Sequence, residues 1–331
     1  MKHMKNGKFL VFLLAVLVVV GCDEGGGESS RQREVELKPS PTANADSLYQ
    51  YVADQVAFGP RVPNTRAHQN AAEWFVQKFE SYGAQVQVQA FDAVTYDGTA
   101  VDLKNIIASF NPEVKKRILL AAHWDTRPFA DQDADDAYAP LDGANDGGSG
   151  VAVLLEVARQ LSISSPTVGV DMILFDGEDW GEHAEKGGTE LPNGLDSWWC
   201  LGSQHWSKNK HKSNYTAFYG ILLDMVGAPN ARFHYDNVSQ ENAGRILDKV
   251  WSIAHTKGYQ NYFKKQAGFA GITDDHVFVN KYALIPMIDI IDYQKGTFMP
   301  AWHTQNDTLE NISKETLAVV ANTVLAVLFN E

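Results

Sequence analysis

Imidazole and carboxylate side chains recur in this chain where short apolar runs end. They fall in five segments: His123-Trp124-Asp125, Gly143-Ala144-Asn145-Asp146-Gly147-Gly148, Asp176-Gly177-Glu178-Asp179, Asp224 and Trp302-His303. Each segment alone has a bland explanation, such as a turn, an N-cap or a solvated loop. Zinc binds His nitrogen and carboxylate oxygen, and a catalytic zinc site keeps one position open. Because all five segments follow or flank short apolar runs, their shared placement favours a metal centre.

Within these segments, Asp146, Asp179 and His303 would give a zinc ion two carboxylates and one imidazole. Glu178 directly precedes a ligand and lies within reach of the open position, so we expect it to act as general acid and base. His123 and Asp224 could bind a second metal. Alternatively these two and Asp125 could orient the ligands. The spacing leaves one ion or two open.

Helical and strand patterns alternate along the chain and must position these residues. Apolar spacing predicts helices over 66–82, 149–161, 240–257 and 314–329, an edge strand over 84–91, and further strands over 101–110, 118–122, 168–175, 219–223 and 284–291. Alternation of this kind predicts a single α/β domain with a mixed, mostly parallel central sheet flanked by helices on both faces. Ligands of such sheets bind outside the carboxyl ends of the strands.

The composition limits the class of partner. The 331 residues are 44% hydrophobic and carry a formal net charge of −13. The length suits one large domain or at most two. The acidic balance disfavours nucleic acid and anionic membranes as partners. It does not oppose a substrate with a positively charged amino terminus.

The start of the chain is typical of an exported protein. Three lysines precede the apolar run Phe9 to Val20, which suits a signal peptide better than a membrane span. Val19-Val20-Gly21-Cys22 resembles a bacterial lipoprotein cleavage box, although an ordinary signal peptide is the alternative. We therefore predict a signal peptide over 1–21, a lipidated Cys22 with a flexible tether over 22–43, and a catalytic domain over 44–331. The protein would then be anchored in a bacterial cell envelope, and Cys200 would be a packed small hydrophobe.

The order of these motifs resembles the M28 metallopeptidase superfamily. His-x-Asp after a strand, Asp before a helix, an acidic pair, a further Asp and a late His follow that pattern over nearly the whole mature chain. The resemblance implies a phosphorylase/hydrolase-like fold of the zinc aminopeptidase type. Three segments resemble animal-type glutaminyl cyclases in particular: Leu222 to Asn230, Asp274-Asp275-His276 and Phe298 to Thr304.

The cyclase resemblance assigns further roles. Asp274 would share a hydrogen bond with Asp224 beside one expected zinc, and Phe298 and Trp302 would wall the substrate pocket. Trp198 or Trp199 would supply a second aromatic wall, for which Trp199 is our choice, although core packing is the alternative for Trp198. The chain departs from the animal enzymes at Asp179, where those have glutamate, and in the long loop 180–199.

The resemblance implies conversion of amino-terminal glutaminyl residues of peptides and proteins to pyroglutamyl residues with release of ammonia. Zinc would act as a Lewis acid, and Glu178 would move the proton. We expect a monomer. An M28-type zinc aminopeptidase is the alternative function, and a non-catalytic binding module is a third interpretation.

Overall fold

A six-stranded sheet forms the centre of the protein. The computed structural model describes residues 36–269, 272–294 and 296–331. The helices and strands follow in this order: α1 (Ala45–Val56), α2 (Arg66–Ser81), β1 (Gln85–Val94), β2 (Ala100–Phe110), β3 (Arg117–His123), α3 (Gly148–Leu161), β4 (Gly169–Phe175), α4 (Leu201–Lys208), β5 (Tyr219–Asp224), β6 (Phe233–Asp236), α5 (Asn237–Thr256), β7 (Phe263–Phe269), α6 (Asp275–Phe278), β8 (Met287–Ile291) and α7 (Lys314–Phe329).

The predicted signal peptide 1–21 and lipidation site Cys22 lie outside the described residues. The end of the predicted tether lies within them and contacts the domain. The Lys38 N–H donates to Asn330 Oδ1 at 2.7 Å, and Ala43 is buried. The folded part of the chain therefore begins several residues before position 44, where we placed the domain boundary.

The strand order of the sheet is β1-β2-β4-β3-β5-β8. Strand β3 pairs in parallel with β4 and β5, and β5 pairs in parallel with β8. The β1–β2 and β2–β4 pairs are antiparallel. The prediction of a mixed, mostly parallel sheet with residues 84–91 at its edge is confirmed. Strands β6 and β7 form a separate parallel pair.

Alternate residues of β3 enter two different hydrophobic cores. Ile118 and Leu120 join the larger core, which includes α1, α3 and α7, whereas Leu119 and Ala121 face a smaller core around Trp206 of α4. Successive side chains of a strand point to opposite faces, so a strand covered on both sides must be apolar throughout. This explains the unbroken apolar run and confirms the helices on both faces.

The parallel strands end together at one edge of the sheet. His123, the last residue of β3, pairs with Phe175, the last residue of β4. Asp224, the last residue of β5, pairs with Ile291, the last residue of β8. The polar segments that follow these strands therefore emerge side by side, as the sequence predicts.

Strand β8 begins later than its apolar pattern indicates. We predicted a strand over 284–291, but the ladder begins at Met287. Leu284 has a φ of 54°, in the left-handed region, and Pro286 has no N–H to donate. The predicted start of this strand was therefore wrong by three residues.

Several short elements are additional to the predicted ones, namely α1, α4, α6 and the β6–β7 pair. In α1 the Asn44 side chain accepts a hydrogen bond from the Ser47 N–H, which caps the helix. Within the described ranges, no helix combines the length and the apolar character needed to cross a bilayer.

Candidate metal centre and active-site pocket

Asp146, Asp179 and His303 converge at the carboxyl edge of the sheet. One ligand atom from each lies within 4.8 Å of those of the other two, and all three side chains are buried. His303 Nε2 is 3.2 Å from Asp179 Oδ1 and 3.6 Å from Asp146 Oδ2. Asp179 Oδ2 is buried and has no hydrogen-bond partner among the described residues. Two carboxylates, one imidazole and an unsatisfied oxygen suit a zinc ion.

The turn before α3 fixes the position of Asp146. The Asp307 carboxylate accepts the N–H groups of Asn145 at 2.8 Å and of Asp146 at 3.0 Å. Burial and the nearby Asp146 raise the pKa of Asp307 to about 7, although these N–H bonds oppose the shift. Gly147 follows with a φ of 74°, and a Cβ there would come within 2.9 Å of the Asp125 carbonyl oxygen. Only glycine fits this close approach.

Asp125 holds the loop that carries the next two acidic residues. Its Oδ1 accepts the Glu178 N–H at 3.0 Å, and its Oδ2 accepts the Asp179 N–H at 3.1 Å. Both carboxylate oxygens therefore bond backbone groups of the functional segment. In this arrangement Asp125 orients the predicted base and the adjacent ligand.

The imidazole of His303 is oriented by an acidic residue that the sequence did not single out. His303 Nδ1 lies 3.2 Å from Asp131 Oδ1, which leaves Nε2 facing Asp146 and Asp179. A carboxylate on the far nitrogen of a ligand histidine fixes its tautomer and raises its basicity. Burial would raise the pKa of Asp131, but hydrogen bonds from His303 and Arg127 outweigh burial and hold that pKa well below its usual range.

A second group of potential ligands lies next to the first and shares Asp146 with it. His123 Nε2 is 3.0 Å from Asp146 Oδ1 and 3.2 Å from Asp224 Oδ1. Burial would lower the pKa of His123, but the nearby carboxylates of Asp125, Asp146 and Asp224 hold it well above its ordinary value. His123, Asp146 and Asp224 are also residue types that bind zinc. The two groups together could therefore hold one metal ion or two.

Glu178 lies beside Asp146, Asp179 and His303, which we call the ligand group, and it lines the pocket. It is only 9% exposed. Burial, together with the charges of Asp179, Asp274 and Asp275, holds its pKa well above the usual range, although His123 acts in the opposite direction. The Cys200 thiol donates to Glu178 Oε1 at 3.1 Å. Cys200 is buried, as predicted, but it also bonds the residue expected to act as base.

Asp224 and Asp274 both line the pocket. Asp224 Oδ1 lies 3.2 Å from His123 Nε2, and carboxylate oxygens of Asp274 and Asp289 and a ring nitrogen of His276 lie within 4.8 Å of one another. The hydrogen bond between Asp224 and Asp274 that the cyclase resemblance implies stays a prediction. Burial raises the pKa of Asp224 to about 7, and repulsion from Asp146 and Asp274 adds to it.

These groups surround a cavity of about 290 Å³. Seven of its fourteen lining residues are aromatic or aliphatic: Trp199, Met225, Ile272, Ile291, Tyr293, Phe298 and Trp302. The Trp302 ring stacks on the His303 ring with centroids 3.8 Å apart, and Phe298 packs on Trp302 at 4.6 Å. The ligand group therefore forms one end of a small pocket suited to a single side chain.

The structure distinguishes between the two tryptophans that the sequence left open. Trp199 lines the cavity and stacks parallel to His303 at 5.9 Å, so the His303 ring contacts Trp199 as well as Trp302. Trp198 is buried outside the lining and donates to the Thr189 carbonyl. Gly181 makes room for Trp199, since a Cβ there would lie 1.9 Å from the indole.

Three positioning residues, Arg127, Asp131 and Asp307, were missed by sequence reasoning. Asp131 lies in the run Asp131-Gln132-Asp133-Ala134-Asp135-Asp136, which has the composition of a solvated loop. Asp307 lies in a segment without an apolar period. The sequence offers only the four-residue spacing of Arg127 and Asp131, which is common in proteins, so these residues required the structure.

Comparison with known proteins agrees with this geometry. The model of peptidase family M28 matches residues 105–328. The chain belongs to peptidase family M28. A solved glutaminyl cyclase from Bacteroides thetaiotaomicron, bound to N-acetylhistamine, is 47% identical, with a TM-score of 0.85 over 88% of this chain and 100% of that one. A Parabacteroides distasonis structure described as a Zn-dependent exopeptidase is 49% identical, with the same TM-score and the same coverage of both chains. The glutaminyl-peptide cyclotransferase of Bos taurus is 26% identical over 78% of this chain and 74% of its own length.

Proposed function

We propose that this M28 protein is a glutaminyl-peptide cyclotransferase. It converts amino-terminal glutaminyl residues of peptides and proteins to pyroglutamyl residues and releases ammonia. The observation that carries the proposal is the ligand group at one end of a 290 Å³ cavity with aromatic walls and the buried Glu178 beside it. A pocket of this size holds one glutaminyl side chain, and the similarity to solved glutaminyl cyclases supports the same assignment.

Asp146, Asp179 and His303 would hold the zinc ion of this enzyme. When bound, zinc supplies Lewis-acid polarisation of a carbonyl group. The donor set and the unsatisfied Asp179 Oδ2 support this assignment. Asp131 orients His303 through its Nδ1 atom, and Asp125 holds Asp179 through its backbone N–H.

The carboxyl groups of the pocket receive and direct the substrate's α-amino group. Glu178, Asp224 and Asp274 all line the cavity and attract a cationic amine. Asp274 Oδ2 has no donor among the described residues and can accept a hydrogen bond from that amine. The amine is thereby held near its own side-chain carbonyl, and this proximity favours ring closure.

Glu178 moves the proton that the reaction displaces. The bound α-amino group first loses its ammonium proton to solvent. The neutral α-nitrogen then forms a bond to the side-chain carbonyl carbon, and the bond from that carbon to the amide nitrogen breaks. Glu178 accepts a proton from the α-nitrogen and delivers it to the amide nitrogen, which departs as ammonia. A base that later acts as an acid needs a pKa nearer neutrality than a free carboxyl has, and the burial of Glu178 shifts its pKa in that direction.

The aromatic walls determine which nucleophile reaches the carbonyl. Phe298, Trp302 and Trp199 line the cavity beside Asp146, Asp179 and His303, so a glutaminyl side chain that fills the cavity would displace water from it. Attack by water on the same carbonyl would give deamidation to glutamate, so exclusion of water favours cyclisation.

We also propose that the enzyme is anchored in a bacterial cell envelope through lipid on Cys22. The basic start, the twelve-residue apolar run and the Gly21-Cys22 junction support this location. Several acyl chains together would provide stable anchoring.

The decisive experiment compares two peptides with purified, zinc-loaded protein. One begins with Gln and the other with Leu, and mass spectrometry follows both. We expect the Gln peptide to lose one ammonia and the Leu peptide to stay intact. Release of free Leu would indicate an aminopeptidase instead, and no change in either peptide would overturn the proposal.

A Glu178→Gln variant tests the base in the same assay. The amide keeps the shape of the side chain but cannot take the proton, so we expect turnover to fall by about 10²–10⁴-fold. Zinc content should remain that of the parent, because Glu178 is not one of the three assigned ligands. If the variant kept most of its activity, the assignment of Glu178 would be wrong.

A further inference from the structure

Arg127 is fully buried beside the metal centre and uses its entire hydrogen-bonding capacity there. Its Nε and Nη2 donate to the two carboxylate oxygens of Asp131 at 2.8 and 2.6 Å. Nη1 donates to the carbonyls of Asp179 at 2.9 Å and Gly181 at 3.5 Å, and Nη2 also donates to the Glu182 carbonyl at 2.9 Å. All five guanidinium N–H groups therefore have acceptors.

These bonds connect Arg127 to two of the three assigned zinc ligands. Through Asp131 it acts on His303, whose Nδ1 lies 3.2 Å from Asp131 Oδ1. It bonds the Asp179 backbone directly, and its Nη1 is 3.7 Å from Asp179 Oδ1. A bidentate arginine–carboxylate pair fixes direction as well as distance, so the Asp131 carboxylate has little freedom to turn away from His303.

The same guanidinium also contacts the pocket wall. Its Cζ lies 4.5 Å from the ring centroid of Trp199, and the same indole stacks with the His303 ring at 5.9 Å. Phe129 covers Arg127 with its ring centroid 4.4 Å from Cζ. A cation–π contact is stronger when it is desolvated, as it is here. Arg127 therefore holds Trp199 in place while it holds the ligands.

We propose that Arg127 is the positioning residue that couples the metal centre to the Trp199 wall of the substrate pocket. It sets the orientation of His303 and Asp179, and hence zinc affinity. It also sets the position of Trp199, and hence the fit of the glutaminyl side chain. The inference rests on the proposed zinc-dependent function of this site.

Lysine is the informative replacement, because it keeps the charge but has three donors in place of five and no planar fork. Arg127→Lys should weaken zinc binding by about 10- to 100-fold, the range typical of residues that orient metal ligands. Zinc affinity is measured on the purified protein by competition with a chromogenic chelator, without substrate. In zinc-saturated protein, KM for a Gln-amino-terminal peptide should rise more than kcat falls, because Trp199 loses its support.

Arg117 provides a matched control. It also makes a bidentate pair, with Asp171, and it bonds four backbone carbonyls. It lies at the opposite end of β3, six residues and roughly 20 Å from His123. Arg117→Lys should lower thermal stability comparably but leave zinc affinity within about twofold of the parent, as expected for a distant site.

Asp131→Asn is the second variant, in case Arg127→Lys does not fold. It should weaken zinc binding by about tenfold or more, since the amide no longer pairs as a carboxylate with either neighbour. If Arg127→Lys folds and binds zinc within about twofold of the parent, or if Arg117→Lys weakens zinc binding equally, the proposal is overturned. If Arg127→Lys does not fold, unchanged zinc affinity in Asp131→Asn overturns it. If zinc binding is weakened in Arg127→Lys but not in Arg117→Lys, and the parent leaves Gln peptides unchanged, only the cyclase assignment is refuted. A parent that binds no zinc would refute both proposals.

Discussion

The Cys200 thiol should contribute measurably to turnover through Glu178. Cys200 Sγ donates to Glu178 Oε1 at 3.1 Å, and the Cys200 N–H donates to the Glu178 carbonyl at 2.9 Å. Among the described residues, the Cys200 thiol is the one group that donates a hydrogen bond to the Glu178 carboxyl. His123 Nδ1 is farther away, at 4.0 Å from Oε2. Replacement of Cys200 by alanine would therefore leave that carboxyl without a directed donor.

The size of the effect follows from the type of bond. Hydrogen bonds to charged groups contribute about 1.5–3 kcal/mol, and a thiol is a weaker donor than N–H or O–H, so about 1 kcal/mol is expected here. That energy corresponds to about a fivefold loss of kcat in Cys200→Ala. The buried sulfur also fills volume, so its loss should lower the free energy of unfolding by about 1 kcal/mol.

The matched variant is Cys200→Ser, which keeps a donor at this position. The φ of Cys200 is 59°, and both replacements carry a Cβ in that left-handed conformation, so backbone strain does not distinguish them. Steady-state kinetics with a Gln-amino-terminal peptide should give a lower kcat for the alanine variant, KM changed by less than about twofold, and a smaller loss for serine. The reasoning is refuted if alanine leaves kcat unchanged, or if serine loses as much as alanine.

Two other predictions concern regions away from the pocket. Burial lowers the pKa of His211 to about 4, below the unfolded value of about 6.5, while its Nδ1 accepts from Trp206 Nε1 at 3.1 Å. The unfolded chain then binds the proton more readily, so His211 stabilises the fold fully above pH 6.5, and this contribution is lost as the pH falls towards 4. Urea unfolding at about pH 7.5 and about pH 5 should show the parent losing about 1 kcal/mol more than His211→Gln, after allowance for partial solvent screening; equal losses would contradict this. Cys22→Ser should move the protein from the membrane fraction to the soluble fraction of producing cells, as detected by immunoblot, and unchanged membrane association would rule out the anchor.

The sequence predicted the strands that carry the site because burial on both faces leaves a simple pattern. Residues 118–122, 168–175 and 219–223 are largely apolar, with the buried Asp171 as their one charged side chain, and they form the core strands β3, β4 and β5. Helix α4 lacks such a signal. It begins after Cys200, which makes no side-chain capping bond, and directly follows the long loop 180–199. Strands β6 and β7 form a separate two-stranded sheet, and β6 has only four residues.

The ends of the parallel strands were predictable as a group, because topology alone brings them to one edge. The residues that orient the side chains at these strand ends could not be predicted from the sequence. Asp131, Asp307 and Arg127 lie in connecting segments whose path depends on packing, and no sequence period relates Asp131 to His303.

Asp179, a proposed zinc ligand, stands where the animal cyclases have the longer glutamate, and its backbone is held from two sides. Its N–H is bound by Asp125 at 3.1 Å and its carbonyl by Arg127 at 2.9 Å, so the main chain is fixed on both sides of the side chain. Glutamate would reach farther by one methylene, but Asp179 Oδ1 already lies 3.2 Å from His303 Nε2. The two bonds that hold its backbone come from residues in the segment after β3. Arg127 also bonds the Gly181 and Glu182 carbonyls and contacts Trp199. We infer that the aspartate ligand and the long loop 180–199 depend on one buried arginine, which holds the backbone at the start of the loop and the indole at its end.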